Sequence, residues 1–188
     1  MHQSTDYSLF TNKGERKYLN RVERERFYNA TLRLPLEKRL FCLMFYYTGA
    51  RLNEIAQIEK VQIDHSDRKV ILRTLKQRKA NVFRQMSLPD YVLEGLDMLC
   101  AKNKTKMLWS FSSRSGARYI KTVMADAGIE GIKSNARGLR HGYAVHAVTR
   151  APLTQVQKWL GHAYLETTAI YLNVCGREER EWAEKVWE

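Results

Sequence analysis

Val61–Leu88, VQIDHSDRKVILRTLKQRKANVFRQMSL, is the stretch that decides the fold class, because here an otherwise helical chain changes its period. Val70-Ile71-Leu72 and the run from Val82-Phe83 to Leu88 are short and rich in β-branched and apolar residues, so they read as two strands. Lys76-Gln77-Arg78-Lys79-Ala80-Asn81 between them is a strongly basic turn, which makes the pair an antiparallel hairpin. Upstream, Asn20 followed three residues later by Glu23 has capping-box spacing and predicts a helix over 21–32. Pro35 punctuates it. A second helix over 36–47 is apolar nearly all round at Leu40, Phe41, Leu43, Met44 and Tyr47, as a central buried helix would be. Thr48-Gly49 breaks it, and 51–58 carries a stripe of Leu52, Ile55 and Ile58. Downstream, Pro89 opens a helix to 101, and 102–106 is a charged loop. Further helices are expected over 114–127, 137–149, 153–160, 164–173 and 177–187, punctuated by Gly128, Pro152 and Gly161. The class is α+β: mostly α-helical with a small antiparallel sheet.

The 188 residues suit a single domain, and a hydrophobic content of 44% is enough to bury a core. Residues 1–19 are polar and lack periodicity, so they read as a loose leader before a domain spanning 20–188. The net charge of +12 points to a polyanionic partner, nucleic acid or an anionic membrane face, although charge alone fits a solvated basic surface equally well. The longest apolar run, Leu40–Tyr47, is far short of the ~20 residues of a spanning helix. The first residues contain no apolar signal core. Cys42, Cys100 and Cys175 are far apart with no CxxC, as expected of reduced thiols in a cytoplasmic protein without a zinc site. No Walker loop or acidic metal cluster is present.

Arg137, Arg140 and His141 stand at i, i+3 and i+4, so three polar donors share a helix face beside the helix start, where exposed N–H groups also favour anions. Arg51 opens a helix next to Glu54. Lys76 and Lys79 lie in the hairpin turn. Leu160-Gly161-His162 joins two helices, and Tyr171 follows nine residues later. Each feature alone has an ordinary reading: a solvated basic face, a surface ion pair, solubilising lysines, a structural histidine, a packing tyrosine.

Their order is what carries information. The stretches TGARLNEI, ILRTLKQRKANVFRQMSLP, RGLRHGYAVHAV and WLGHAYLETTAIY together resemble the catalytic domain of the tyrosine recombinases, the phage integrase family, over about residues 20–187. The resemblance implies that family's fold, with a three-stranded antiparallel sheet, and site-specific DNA strand exchange without metal or other cofactor. Arg51 and Arg140 would clamp the scissile phosphate. Tyr171 would attack phosphorus, giving a 3′-phosphotyrosyl link and a free 5′-hydroxyl. Lys76 would protonate the leaving oxygen, His162 would hydrogen-bond the phosphate, and His141 and Glu54 would support the site. A tyrosine of ordinary pKa near 10 is a poor nucleophile at neutral pH, and neighbouring guanidinium groups are expected to favour its phenolate.

Arg137 stands where His is commonest in the family; it can still donate to the phosphate, but an arginine cannot act as a neutral base, so the Tyr171 proton is expected to leave differently, for instance to water. The turn is longer than the short family form, so Lys79 competes with Lys76 for the acid role; spacing from Arg51 favours Lys76. Fewer than 20 residues precede the catalytic region, so the usual N-terminal core-binding domain is expected to be absent, either in a compact plasmid- or mobile-element-type recombinase or in a fragment. The resemblance also implies double-stranded DNA as partner, a monomer off DNA and a homo-tetramer on it, joined by exchange of a C-terminal helix at about 177–188. Arg78, Arg114, Arg118 and Lys121 are candidate DNA-backbone contacts. A nucleoid-associated cytoplasmic location is expected. Two other readings stay open: a type IB topoisomerase-like relaxing enzyme, and a non-catalytic DNA-binding regulator.

Overall fold

The computed structural model describes residues 8–75, 82–174 and 183–187. Among the described residues, helices and strands follow in the order α1 (Arg21–Thr31), α2 (Leu36–Thr48), α3 (Leu52–Ala56), β1 (Ile63–Asp64), β2 (Lys69–Arg73), β3 (Phe83–Ser87), α4 (Asp90–Lys102), α5 (Ser113–Asp126), α6 (Ala136–Val148), α7 (Leu153–Leu160) and α8 (Glu166–Ala169). A 3₁₀ turn, Ile170–Val174, continues from α8. The helix α2 is the centre, with α1, α4, α5 and α6 packed around it. Its six consecutive residues Leu40 to Phe45 are all buried, which is why its sequence shows no polar face. Phe41 meets Phe45, Trp109 and Phe111 edge-on, the geometry that ring quadrupoles favour.

The sheet has the order β1-β2-β3, antiparallel throughout. Its alternation buries Val70 and Leu72 on β2 and Arg84 and Met86 on β3, so one face covers the helical body. β3 lies against α7 and β2 against α3, which attaches the hairpin beside the helices that carry the charged motifs. The hairpin tip, with Lys76, Arg78 and Lys79, lies outside the described residues.

Three sequence expectations change. The leader is not loose from residue 8 on. Phe10 bridges Arg16, Leu9, Tyr18 and Leu19 are buried, and Glu23 holds both Arg16 and Lys133. The helix expected over 51–58 stops at Ala56, because the backbone of Ile58 and Lys60 pairs instead with Leu108 and Lys106. The helix expected over 164–173 is reduced to α8 and the 3₁₀ turn, which packs on α6. Tyr171 lies in this turn and is buried where it packs on α6. Of the C-terminal helix expected over 177–187, residues 183–187 are described and are helical, with Val186 and Trp187 exposed.

Candidate active site

A cleft of about 820 Å³ opens between α5, α6 and the α7–α8 connection. Arg51, Lys121, Arg137, Arg140, His141, His162 and Tyr171 all line it, so residues scattered over 120 positions of sequence meet in one place. Ser8 and Lys17 of the docked leader close one side.

Two helix ends set its geometry. Gly49, after α2, has φ +57°, and a Cβ there would stand 2.2 Å from the Tyr143 ring. Only glycine fits such a turn. Its carbonyl then accepts from Arg140 Nη1 at 2.7 Å. Gly161, with φ +64°, ends α7 in the same left-handed conformation and delivers His162 to the cleft. Arg140 Nη2 donates to the Leu160 carbonyl at 2.8 Å and approaches His162 Nε2 at 3.0 Å. One buried guanidinium thus ties α6 to the ends of both α2 and α7.

His162 Nδ1 lies 2.9 Å from Thr168 Oγ1. With Nε2 accepting from Arg140, Nδ1 carries the proton and donates to the threonine. Burial, and then the charges of Arg140 and Arg51, push His162 down to about 3, so its ring is neutral. The His162 ring stacks on that of Tyr171, 12° from parallel with centroids 6.3 Å apart.

Tyr171 is 2% exposed, and its hydroxyl lies 2.9 Å from His141 Nδ1. Burial raises its pKa, and the opposing charges of Arg140, Arg137 and Arg51 do not overcome this. The guanidinium groups do favour the phenolate, as expected, but desolvation is the larger effect. His141 is pushed down to about 4, by burial first and then by Arg137, Arg140 and Lys17. Arg140 itself falls to about 10, from burial and then Arg51, and stays cationic at neutral pH.

Arg51 is held from behind. Glu54 accepts from the Arg51 backbone N–H and from its Nη1, both at 2.9 Å. The same carboxylate accepts from Arg84 Nη2 at 2.6 Å. Arg84 spends its other nitrogens on Thr74 Oγ1 (2.9 Å) and the Trp159 carbonyl (2.7 Å). Burial pushes Glu54 up, but the hydrogen bond and charge of Arg84, followed by Arg51, hold it below the usual carboxylate range. Arg84 thus joins the sheet, α3 and α7 beneath the site. The sequence reading missed it. The available signal was a charge on the inward register of an alternating strand, in phase with Met86 and Leu88. Thr168, Lys17 and Ser8 were also missed; each has the composition of an ordinary surface or helix residue.

Arg137 is exposed on the first turn of α6 and lines the cleft. Arg114, Arg118 and Lys121 form one exposed stripe on α5, and its last member reaches the cleft rim. Among the described residues no group of three His, Cys, Asp or Glu side chains could hold a metal ion. No described helix is long and apolar enough to cross a membrane.

The curated proteins similar to this chain include tyrosine recombinase XerC of Lacticaseibacillus casei strain BL23, 28% identical over 154 residues, covering 74% of this chain and 52% of that protein. They also include tyrosine recombinase XerA of Thermococcus kodakarensis, 25% identical over 181 residues, covering 90% and 62%. The chain thus spans about half to three-fifths of the length of these relatives. Among solved structures, the XerH site-specific recombinase in a post-cleavage complex with difH substrate superposes with a TM-score of 0.79 at 22% identity, covering 91% of this chain and 53% of that one. The catalytic domain of bacteriophage HP1 integrase gives 0.64 at 20% identity, covering 89% and 93%. These likenesses bear out the mostly helical fold with its three-stranded antiparallel sheet. The sequence profile of the phage integrase family matches residues 17–177, and the chain belongs to that family, the tyrosine recombinases.

Proposed function

We propose that this chain is a site-specific DNA recombinase whose residues 20–188 form the catalytic domain and whose nucleophile is Tyr171. The observation that carries the reading is the placement of a buried tyrosine hydroxyl in one cleft with Arg51, Arg140 and His162. Phosphodiester transfer needs an aligned nucleophile and fixed positive charge where the phosphorane develops. Arg140 is immobilised by two backbone carbonyls and Arg51 by Glu54, so neither has to reorganise as charge builds. Tyr171 oxygen attacks phosphorus, the bond from phosphorus to the 5′ oxygen breaks, and that oxygen takes a proton from Lys76. Arg137 donates to the non-bridging oxygens, and His162 joins it once the negative charge of the phosphate favours a proton on its Nε2. The phosphotyrosyl bond conserves the energy for rejoining to another 5′ end.

Duplex DNA fits the +12 charge and the α5 stripe that leads to the cleft. Val186 and Trp187, apolar and exposed at the end of the chain, support docking of the C-terminal helix on a neighbouring protomer and hence a tetramer on DNA. A plasmid- or mobile-element role and a nucleoid location belong to the same proposal.

The test is covalent trapping without added metal. The protein is incubated with a pool of short duplexes of randomised sequence, each nicked so that the cleaved 5′ fragment diffuses away. Wild type is expected to give a DNA adduct on denaturing gels and Tyr171→Phe none. An adduct that persists in the Phe variant overturns the assignment of the nucleophile.

A further inference from the structure

The reading above leaves the phenolic proton without a destination. Arg137 occupies the place where a histidine would otherwise stand, and a guanidinium accepts nothing. Tyr171 is also a weaker acid than an ordinary tyrosine, because it is buried. We infer that His141 is the proton acceptor: its Nδ1, 2.9 Å from the Tyr171 hydroxyl, takes the phenolic proton as the tyrosine oxygen bonds to phosphorus, and returns it when the strand is rejoined.

This inference rests on Tyr171 being the nucleophile. The distance lies within the 2.6–3.2 Å over which a general base works. His141 sits one residue after the immobilised Arg140 on α6, and Tyr171 is stacked by His162. The groups facing His141 are Arg137 and Arg140 from its own helix, Lys17 from the docked leader, His162 from the α7–α8 connection and Tyr171 itself. Burial first, and then the three cations among these groups, keep the ring neutral, so its accepting lone pair is available throughout the neutral range.

The same cations make an imidazolium costly while the cleft holds no DNA. A scissile phosphate carries the compensating negative charge, and more accumulates on it as the phosphorane forms. Proton uptake by His141 is thereby linked to DNA occupancy, and Tyr171 stays protonated until a phosphate stands in the cleft. The step balances: the O–H bond of Tyr171 breaks and an N–H bond forms at His141, while the P–O bond to tyrosine forms and the P–O bond to the 5′ oxygen breaks.

His141→Asn separates base from positioner, since the asparagine amide reaches the place of Nδ1 and keeps a hydrogen bond but cannot take a proton. Single-turnover adduct formation is measured on a nicked duplex recovered from the randomised pool. The expected loss for His141→Asn is ~10²–10⁴-fold, with DNA affinity retained. The wild-type rate is expected to be level from about pH 6 to 8, whereas that of the variant climbs ~10-fold per pH unit as hydroxide takes over the proton. Replacing Tyr171 with difluorotyrosine, a more acidic phenol, is expected to restore at least ten-fold in the variant and to leave wild type nearly unchanged. A wild-type rate for His141→Asn overturns the inference. So does a loss that the acidic phenol fails to rescue, which would make His141 a positioning residue. An adduct that survives Tyr171→Phe, or none from wild type, overturns the nucleophile reading and this inference with it.

Discussion

Arg84 shows how much of the site's rigidity is held by a residue outside the cleft. Its guanidinium satisfies Glu54, Thr74 and the Trp159 carbonyl, and Glu54 in turn orients Arg51. Both members of the Arg84–Glu54 pair are almost fully buried, so removing one partner leaves an undercompensated charge in a dry place. Arg84→Met is therefore expected to lower unfolding free energy by ~3 kcal/mol in urea titrations. It should also slow adduct formation through the loosened Arg51. Adding Glu54→Gln should recover part of the stability but not the rate. At this scale Arg51, Arg140, His141, His162 and Tyr171 were legible because their order and spacing are distinctive. Arg84 was not, because a lone arginine in a strand resembles a solvated edge residue until the register shows it facing inward.

At the scale of elements, the ends of helices matter more than their lengths. α2 and α7 both finish in a left-handed glycine, and each places a carbonyl or a side chain against Arg140. Gly49→Ala is expected to cost at least ~1–3 kcal/mol for the left-handed backbone alone, before the Tyr143 ring is displaced. Calorimetry would show the fall in Tm, and the trapping assay a slower adduct as the Gly49 carbonyl moves from Arg140. The boundaries of α1, α2, α5, α6 and α7 were legible to within a residue or two, since caps, prolines and glycines mark them locally. The 3₁₀ turn that carries Tyr171 was not. Its sequence is compatible with regular helix, and the tighter winding comes from packing against α6 and the tie between His162 and Thr168.

For the whole molecule, several neutral histidines are a liability in acid. His141 and His162 in the cleft, and His146 at the other end of α6, have native pKa values of about 4, 3 and 4, depressed chiefly by burial. Unfolded, each would titrate near 6.5. Between these values the unfolded chain binds more protons than the native one, so stability rises with pH there. Stability is therefore expected to be level above about pH 7 and to fall as pH drops from about 6.5 toward 4. Depressed carboxylates such as Glu54 extend the loss to lower pH. Tm measured by calorimetry across pH 4–8 checks the sign: a Tm that rises on acidification through this window contradicts the neutral, buried histidines.

Local chemistry in the sequence was sufficient for the helix starts and stops, the central apolar helix, the hairpin and the ordered set of charged motifs, because each depends on residues within a few positions. The tertiary structure decided what those motifs become. It showed Tyr171 to be a buried, weakened acid rather than an activated phenolate, because desolvation depends on neighbours from distant elements. It seated the leader from residue 8 on and brought Lys17 to the cleft. It placed His141 Nδ1 at the tyrosine hydroxyl, a contact between residues 30 positions apart that only the packing of the 3₁₀ turn on α6 creates.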